Sequence, residues 1–279
     1  MSESSHSRVR RTTPVDRAAL ELIYERYNRR EYAHPDPVEL LYAYEDAADR
    51  EVAAFVVALL SLGRVRQILA NAEDALARLG ESPARFVAES DRERLRLAFD
   101  GFRHRFTTGR DMAAALEGVR EVRRRRGSVG KRLAELISEG DETVLPALGR
   151  LVDEIEEASG RGACGRLLPI PSRKSACKRL HLLLRWMARS DDIDPGGWDD
   201  VPVSMLVVPL DVHMHRIARG FGMTRRRSAD AATALEVTDA FRSICPEDPV
   251  RYDFALTRAG IHPEVGTEAL AEAGCVMES

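Results

Sequence analysis

Only three of the 42 basic residues are lysines, Lys131, Lys174 and Lys178; every other positive charge is an arginine. A lysine kept in such a background points to chemistry that a guanidinium cannot perform, because only an amine can lose its proton near neutral pH and attack a carbon electrophile. Lys174 and Lys178 share one segment, Arg161 to Arg189, that holds eight basic residues and not one Asp or Glu. For each lysine taken alone, a solvated or phosphate-facing charge is the plainer reading. The second group is Val207-Val208-Pro209-Leu210-Asp211-Val212-His213-Met214-His215 and the arginine-bearing run after it. An apolar stretch, a proline and then an aspartate leading into a helix place the Asp211 carboxylate at a helix N-terminus. There it either only caps the helix, a contribution of ~1 kcal/mol, or serves as an anion. The dipole and the N–H donors keep such a carboxylate ionised, which suits a group that stabilises a cationic intermediate or accepts a proton.

Helices must position these groups, because apolar residues recur at three- and four-residue spacing almost throughout. The pattern predicts an all-α protein with helices at Val15 to Arg29, Pro37 to Tyr44, Asp49 to Ser61, Val65 to Leu79, Asp91 to Phe99 and Arg110 to Arg124. Further helices are expected at Val129 to Ile137, Thr143 to Ala158, Ser175 to Ala188, Asp211 to Phe221, Ala229 to Ile244 and Pro249 to Ala259. Val52 to Leu62 is apolar on all sides and reads as a central helix covered by several neighbours. Proline-bearing loops are expected at Gly160 to Ser172, Ser190 to Val203 and Gly260 to Gly266, and two of them flank the basic helix at Ser175 to Ala188.

Composition narrows the classes. With 279 residues, 44% hydrophobic and 31% charged, the chain can build a sizeable core, so disorder as the main state is excluded. Residues 1–12 read as a disordered polar and basic tail without the apolar core of a secretory signal, and residues 13–279 as a single domain, expected in the cytoplasm. Apolar runs are too short to cross a bilayer. Cys164, Cys177, Cys245 and Cys275 show no clustered spacing, which gives no support to a disulfide framework, zinc knuckle or iron–sulfur loop. The net charge is -3, yet the positive charge is local. A second basic stretch, Arg120 to Arg132, contains the Arg123 to Arg126 run, which reads equally as a phosphate contact or a solvated helix end. Arg64 and Arg66, after Gly63, either face a cleft or close a helix. His213 and His215 stand two apart, about 200° around a helix, so no metal site is expected. Trp186 and Trp198 either stack on a base or pack in the core.

Pro209-Leu210-Asp211-Val212-His213 followed by Arg216-Ile-Ala-Arg-Gly-Phe-Gly-Met223 resembles the catalytic-aspartate segment of the helix-hairpin-helix DNA glycosylase superfamily. The apolar helix ending Leu59-Leu60-Ser61 resembles the superfamily's buried early helix. Lys178-Arg-Leu-His-Leu-Leu-Leu-Arg-Trp-Met187 is similar to the helix of archaeal 8-oxoguanine glycosylases that begins with the Schiff-base lysine. Together with Ser175-Ala-Cys-Lys-Arg179 and Tyr252-Asp253-Phe254-Ala255-Leu256, the chain looks like an uncharacterised bacterial family related to that superfamily. One departure is plain. Where the superfamily has a glycine-bearing hairpin holding a DNA phosphate, this chain has Leu168-Pro-Ile-Pro-Ser-Arg-Lys174. Lys174 matches the hairpin spacing and Lys178 the archaeal helix, and Lys178 is preferred.

The resemblance implies a two-lobed helical bundle with a cleft between the lobes, its basic hairpin and catalytic segment falling at about residues 161–222. It also implies a glycosylase with AP lyase activity on a damaged base, an oxidised purine being the candidate. Lys178 is then the nucleophile and Asp211 the anion beside it, while Arg173, Lys174, Arg179, Arg185 and His213 contact DNA. Duplex DNA is the expected partner of a monomer that needs no cofactor or metal. Two other readings stay open: a catalytically silent helical protein that binds DNA or RNA, and a helical scaffold for another protein.

Overall fold

The structure is a computed structural model that describes residues 15–171, 175–261 and 267–276. It is mostly helical, as the periodicity requires. The N-terminal half contains α1 (Arg17–Tyr27), a 3-10 turn at Pro37–Ala43, α2 (Ala47–Leu60), α3 (Val65–Leu79), α4 (Pro83–Glu89) and α5 (Arg92–Ala98). A two-stranded hairpin, β1 (Arg103–His104) and β2 (Thr107–Thr108), leads into α6 (Gly109–Arg126), α7 (Val129–Leu136) and α8 (Leu145–Ser159). Then follow α9 (Lys178–Ala188), α10 (Val212–Gly220), α11 (Ala231–Ile244), α12 (Asp253–Ile261) and α13 (Glu268–Glu272). Starts are set by short polar side chains that accept the first free N–H groups: Asp16, Asp46, Ser82, Asp91, Thr108, Ser128, Asp211 and Asp230 each do so.

Several expectations shift. The helix expected from Ser175 begins at Lys178, because Cys177 takes a left-handed backbone (φ 45°, ψ 32°) that cannot belong to it. Pro37 to Tyr44 forms a 3-10 turn, and α4, α13 and the hairpin were not anticipated. The hairpin's alternation spans too few residues to stand out from its helical surroundings. The tail at residues 1–12 and residues Ser172, Arg173 and Lys174 lie outside the described residues, as does much of the loop expected at Gly260 to Gly266.

The core is organised around α2. All residues from Glu51 to Leu60 are buried, and the helix packs on α3, α4 and α9. Each large apolar side chain buried there contributes roughly 1.5–3 kcal/mol. Glu51 is the polar exception on this helix. Its carboxylate accepts the Val129 and Gly130 N–H groups at the start of α7 (3.0 and 3.2 Å), the Trp198 indole N–H (2.7 Å) and the Arg123 guanidinium. One buried anion thus joins four parts of the chain and caps a helix it does not belong to. Gly130 is required there, since a Cβ would come within 2.2 Å of the Trp198 ring. In the same way α6 and α8 meet at Gly118, where a Cβ would stand 2.5 Å from the Ile155 carbonyl oxygen.

A second buried network fixes α9. Arg185 Nε donates to Asp194 (3.1 Å) and its Nη1 to Asp253 at the start of α12. Arg189 bonds Asp194, Asp248 (Nε, 2.9 Å) and Asp191 (2.9 Å), and Asp191 also accepts from Tyr24 and Asn28 of the α1 region, both at 3.0 Å. Since α12 packs on both α1 and α10, the network ties the Lys178 helix to the Asp211 helix.

Removing the Glu51 carboxylate leaves three buried N–H donors without an acceptor and deprives the half-buried Arg123 guanidinium of its charge partner, leaving it the Ala48 carbonyl oxygen (3.3 Å). Glu51→Ala is expected to destabilise the protein by about 3–5 kcal/mol, read as a lowered urea midpoint; an unchanged midpoint contradicts the role given to this residue.

Candidate active site

Two helix starts face each other. Lys178 is the first residue of α9, set there by the left-handed Cys177, whose N–H donates to Ser175 Oγ (3.2 Å). Asp211 is the N-cap of α10. Its Oδ1 accepts the His213 and Met214 N–H groups, both at 2.9 Å, and its Oδ2 stands 3.0 Å from Lys178 Nζ. The sequence leaves capping and a further anionic role as alternatives for Asp211; in the structure Oδ1 caps the helix while Oδ2 pairs with Lys178. The two side chains are 30% and 25% exposed, so the pair is held by the core yet open on one side.

Burial acts to raise the Asp211 pKa, but the Lys178 ammonium, the Met214 N–H and the nearby His213 together outweigh it and hold the carboxyl below its ordinary value. Asp211 is therefore an anion throughout the neutral range. For Lys178 the start of a helix is the unfavourable end for a cation, and the Asp211 carboxylate offsets that field. His213 is half-buried beside the pair.

The other expected contacts sort differently. Arg179 donates Nη1 to Leu59 O (2.9 Å) and Nη2 to Arg166 O (2.8 Å), which fastens α9 to the end of α2. Burial pulls its pKa down to about 10. Arg185, expected at a phosphate, is instead enclosed between Asp194 and Asp253. The arginine run of α6 is also paired: Arg123 with Glu51, Arg124 (2.9 Å) and Arg125 (2.5 Å) with Glu121, and Arg126 with Glu135 (3.5 Å). Sequence shows these charges but not which carboxylates the fold brings to them. Arg173 and Lys174 lie outside the described residues.

Trp186 and Trp198 are both buried, so core packing is the reading that holds for them. His215 bonds the Arg226 carbonyl oxygen through Nε2 (2.9 Å), and among the described residues no three of His, Cys, Asp and Glu converge as a metal would need. Two contributors were not anticipated. Cys177 is one, because a left-handed non-glycine residue is invisible in a sequence. His181 is the other. It follows Lys178 by three residues, hence on the same helix face, and it is buried with Nδ1 unpartnered and its pKa driven down to about 4 by burial.

Asp211→Asn preserves a capping oxygen but removes the charge, whereas Asp211→Ala removes both. The alanine variant is expected to lose about 1 kcal/mol more than the asparagine variant at neutral pH. A carboxyl depressed below 3.8 adds stability that is complete above that pH and lost as pH falls through the folded-state value. Urea unfolding of wild type and Asp211→Asn should therefore converge below pH 3.8; a gap that persists there contradicts the assignment.

No curated protein and no solved structure matches the chain. One family model does, that of a protein of unknown function (DUF2400), over residues 36–262, a stretch that includes the hairpin, Lys178 and Asp211. The match takes in most of the 279 residues, so the chain belongs to this family.

Proposed function

We propose that the protein is a base-excision DNA glycosylase with AP lyase activity, acting on a damaged base of the oxidised-purine kind. The observation that carries this reading is the 3.0 Å pairing of Lys178 Nζ with Asp211 Oδ2 at two facing helix starts, partly open to solvent. An amine and a permanent carboxylate so placed are the two groups that displacement at a sugar C1' needs. The resemblance to helix-hairpin-helix glycosylases implies the same lysine and aspartate, and with them two helical lobes with a cleft between.

Chemistry at C1' requires the damaged nucleotide to leave the duplex. Attack requires the lone pair of the Lys178 amine, so Nζ must hold no more than two protons when it meets C1'. Asp211 Oδ2 is the adjacent acceptor, and entry of the sugar between the two groups weakens their attraction. The amine then forms a bond to C1' as the glycosidic C–N bond breaks, and the base leaves with the bonding pair and takes a proton from solvent. Transfer of one amine proton to O4' as the C1'–O4' bond breaks gives a protonated imine; loss of a C2' proton then expels the 3' phosphate as the C3'–O bond breaks, and water hydrolyses the imine to release Lys178. Asp211, anionic at every stage but the proton transfer, balances the positive charge that develops on the sugar. The protein works as a monomer on duplex DNA, without a cofactor or metal.

Among the described residues no helix is long and apolar enough to cross a membrane. A silent nucleic-acid binder is the second reading, favoured by the ion pair itself, in which Asp211 Oδ2 already engages the amine. Borohydride trapping on duplexes carrying 8-oxoguanine, uracil or a natural abasic site separates the two. A covalent adduct is expected with wild type and Lys174→Ala and at least a hundredfold less with Lys178→Ala, a loss typical of removing a nucleophile. An adduct lost only in Lys174→Ala moves the nucleophile to Lys174. No adduct and no base release on any duplex leaves the silent binder.

A further inference from the structure

The hairpin between α5 and α6 has no part in the chemistry above, yet it is built in an unusual way. Its strands pair Arg103 with Thr108 and His104 with Thr107, which leaves Arg105 and Phe106 as a two-residue turn. Such turns favour Asn-Gly because the backbone must enter the left-handed region. Here Arg105 does so at φ 56°, at a cost of about 1–2 kcal/mol. Strain kept in an exposed turn points to a use for the side chains it aims. Phe106, at the tip, is 74% exposed, the largest such value among the described large hydrophobic residues.

The mount is rigid. His104 is buried, and burial pulls its pKa down, so the ring is neutral. Its Nδ1 accepts from Asn71 Nδ2 (2.7 Å) and its Nε2–H donates to Leu62 O (3.2 Å). Arg105 lies against Gly63, where a Cβ would come within 2.9 Å of Nη1. The tip therefore rests on the junction of α2 and α3, beside exposed Leu62, Arg64 and Arg66. It also lies toward the candidate active site. Arg179, next to Lys178, bonds Leu59 O near the same junction, and its charge is felt at His104.

The segments that form the turn and its seat carry charge of one sign, with Glu93 and Asp100 sharing a depression with Arg103 on the α5 side. Ser61 to Ala72 and Gly101 to Arg110 contain no Asp or Glu. Among the described residues Arg64, Arg66, Arg103 and Arg105 form no ion pair, in contrast to the paired arginines of α6 and the buried ones of α9. A protein with net charge -3 thus carries, among the described residues, four guanidinium groups without a carboxylate partner on the hairpin and the adjoining start of α3, and Arg105 lies 5.9 Å from the ring of the protruding Phe106. Arginines bind phosphates and aromatic rings stack on bases, and an apolar side chain can enter a base step that is already weakened.

We infer that the hairpin is a nucleic-acid contact in which Phe106 stacks into the duplex beside the displaced nucleotide, while Arg64, Arg66, Arg103 and Arg105 hold the flanking phosphates. The inference rests on the reading of this protein as acting on damaged DNA, and it adds a stacking residue outside the Lys178 and Asp211 pair.

The test uses the full chain and a duplex in which 2-aminopurine flanks a tetrahydrofuran abasic analogue, read by anisotropy for affinity and by 2-aminopurine fluorescence for stacking. Phe106→Ala is expected to bind about tenfold more weakly and to lose the fluorescence change, with Phe106→Trp restoring both. Arg66→Ala with Arg103→Ala should lower the slope of log affinity against log salt by about 2. Phe106 is exposed, so its replacement does not threaten folding. If Phe106→Ala binds and perturbs 2-aminopurine as wild type does, the inference is overturned, whatever borohydride trapping on a natural abasic duplex shows. If the Phe106 dependence is present while wild type traps nothing, the surface stands and the lyase reading falls. Absence of any duplex binding by wild type removes both.

Discussion

The buried arginine and aspartate network at the end of α9 is the constraint on which the rest of the candidate site depends. Asp194 is fully enclosed and shared by Arg185 and Arg189, and the same guanidinium groups reach Asp253, Asp248 and Asp191. Charges removed from water must be matched almost completely or the fold does not survive the cost. That demand fixes α9 along its length and in rotation against α12, α1 and the loop before α10. Lys178 occupies the opposite end of the same rigid helix, so its position is a consequence of partners more than two turns away.

Asp211 illustrates how a helix start can set both place and charge. Its backbone geometry and its Oδ1 are committed to α10, which orients Oδ2 without any further support. Burial alone would favour the neutral acid, but the two N–H donors, the helix field and Lys178 all favour the anion. The amine gains correspondingly from the carboxylate at the end of a helix that otherwise repels it. Each group makes the other tolerable where it stands, which is how two opposite charges can sit at a partly open edge of the core.

The arginines divide into three fates that sequence does not distinguish. Some are enclosed with carboxylates, as Arg185, Arg189 and Arg123 are. Some clamp backbone carbonyls, as Arg179 does on Leu59 and Arg166 and Arg50 does on Tyr44 and Pro195. Others, on the hairpin and at the start of α3, form no ion pair with a carboxylate among the described residues. The planar guanidinium with its several donors suits the first two roles because it can satisfy two or three acceptors at once. Within the basic segment around α9, Arg179, Arg185 and Arg189 therefore direct their charge to the protein's own acceptors, while Arg161 and Arg166 stay exposed.

What the sequence determined by itself is what depends on local physics. Helical periodicity established the all-α class, the uninterrupted apolar run from Val52 established α2 as the central buried helix, and Asp211 after Pro209 and Leu210 announced a helix start at the observed residue. The scarcity of lysine marked Lys131, Lys174 and Lys178 together, and the resemblance of the helix that follows it favoured Lys178. Tertiary structure alone decided which carboxylate each arginine meets, that Lys178 and Asp211 lie 3.0 Å apart, that Cys177 begins α9 three residues late, and that Phe106 projects from a strained turn. The reason is range. Periodicity and capping act over a few residues and leave a mark in the order of the letters, whereas pairing between residues far apart in the chain is settled only when packing brings them within reach.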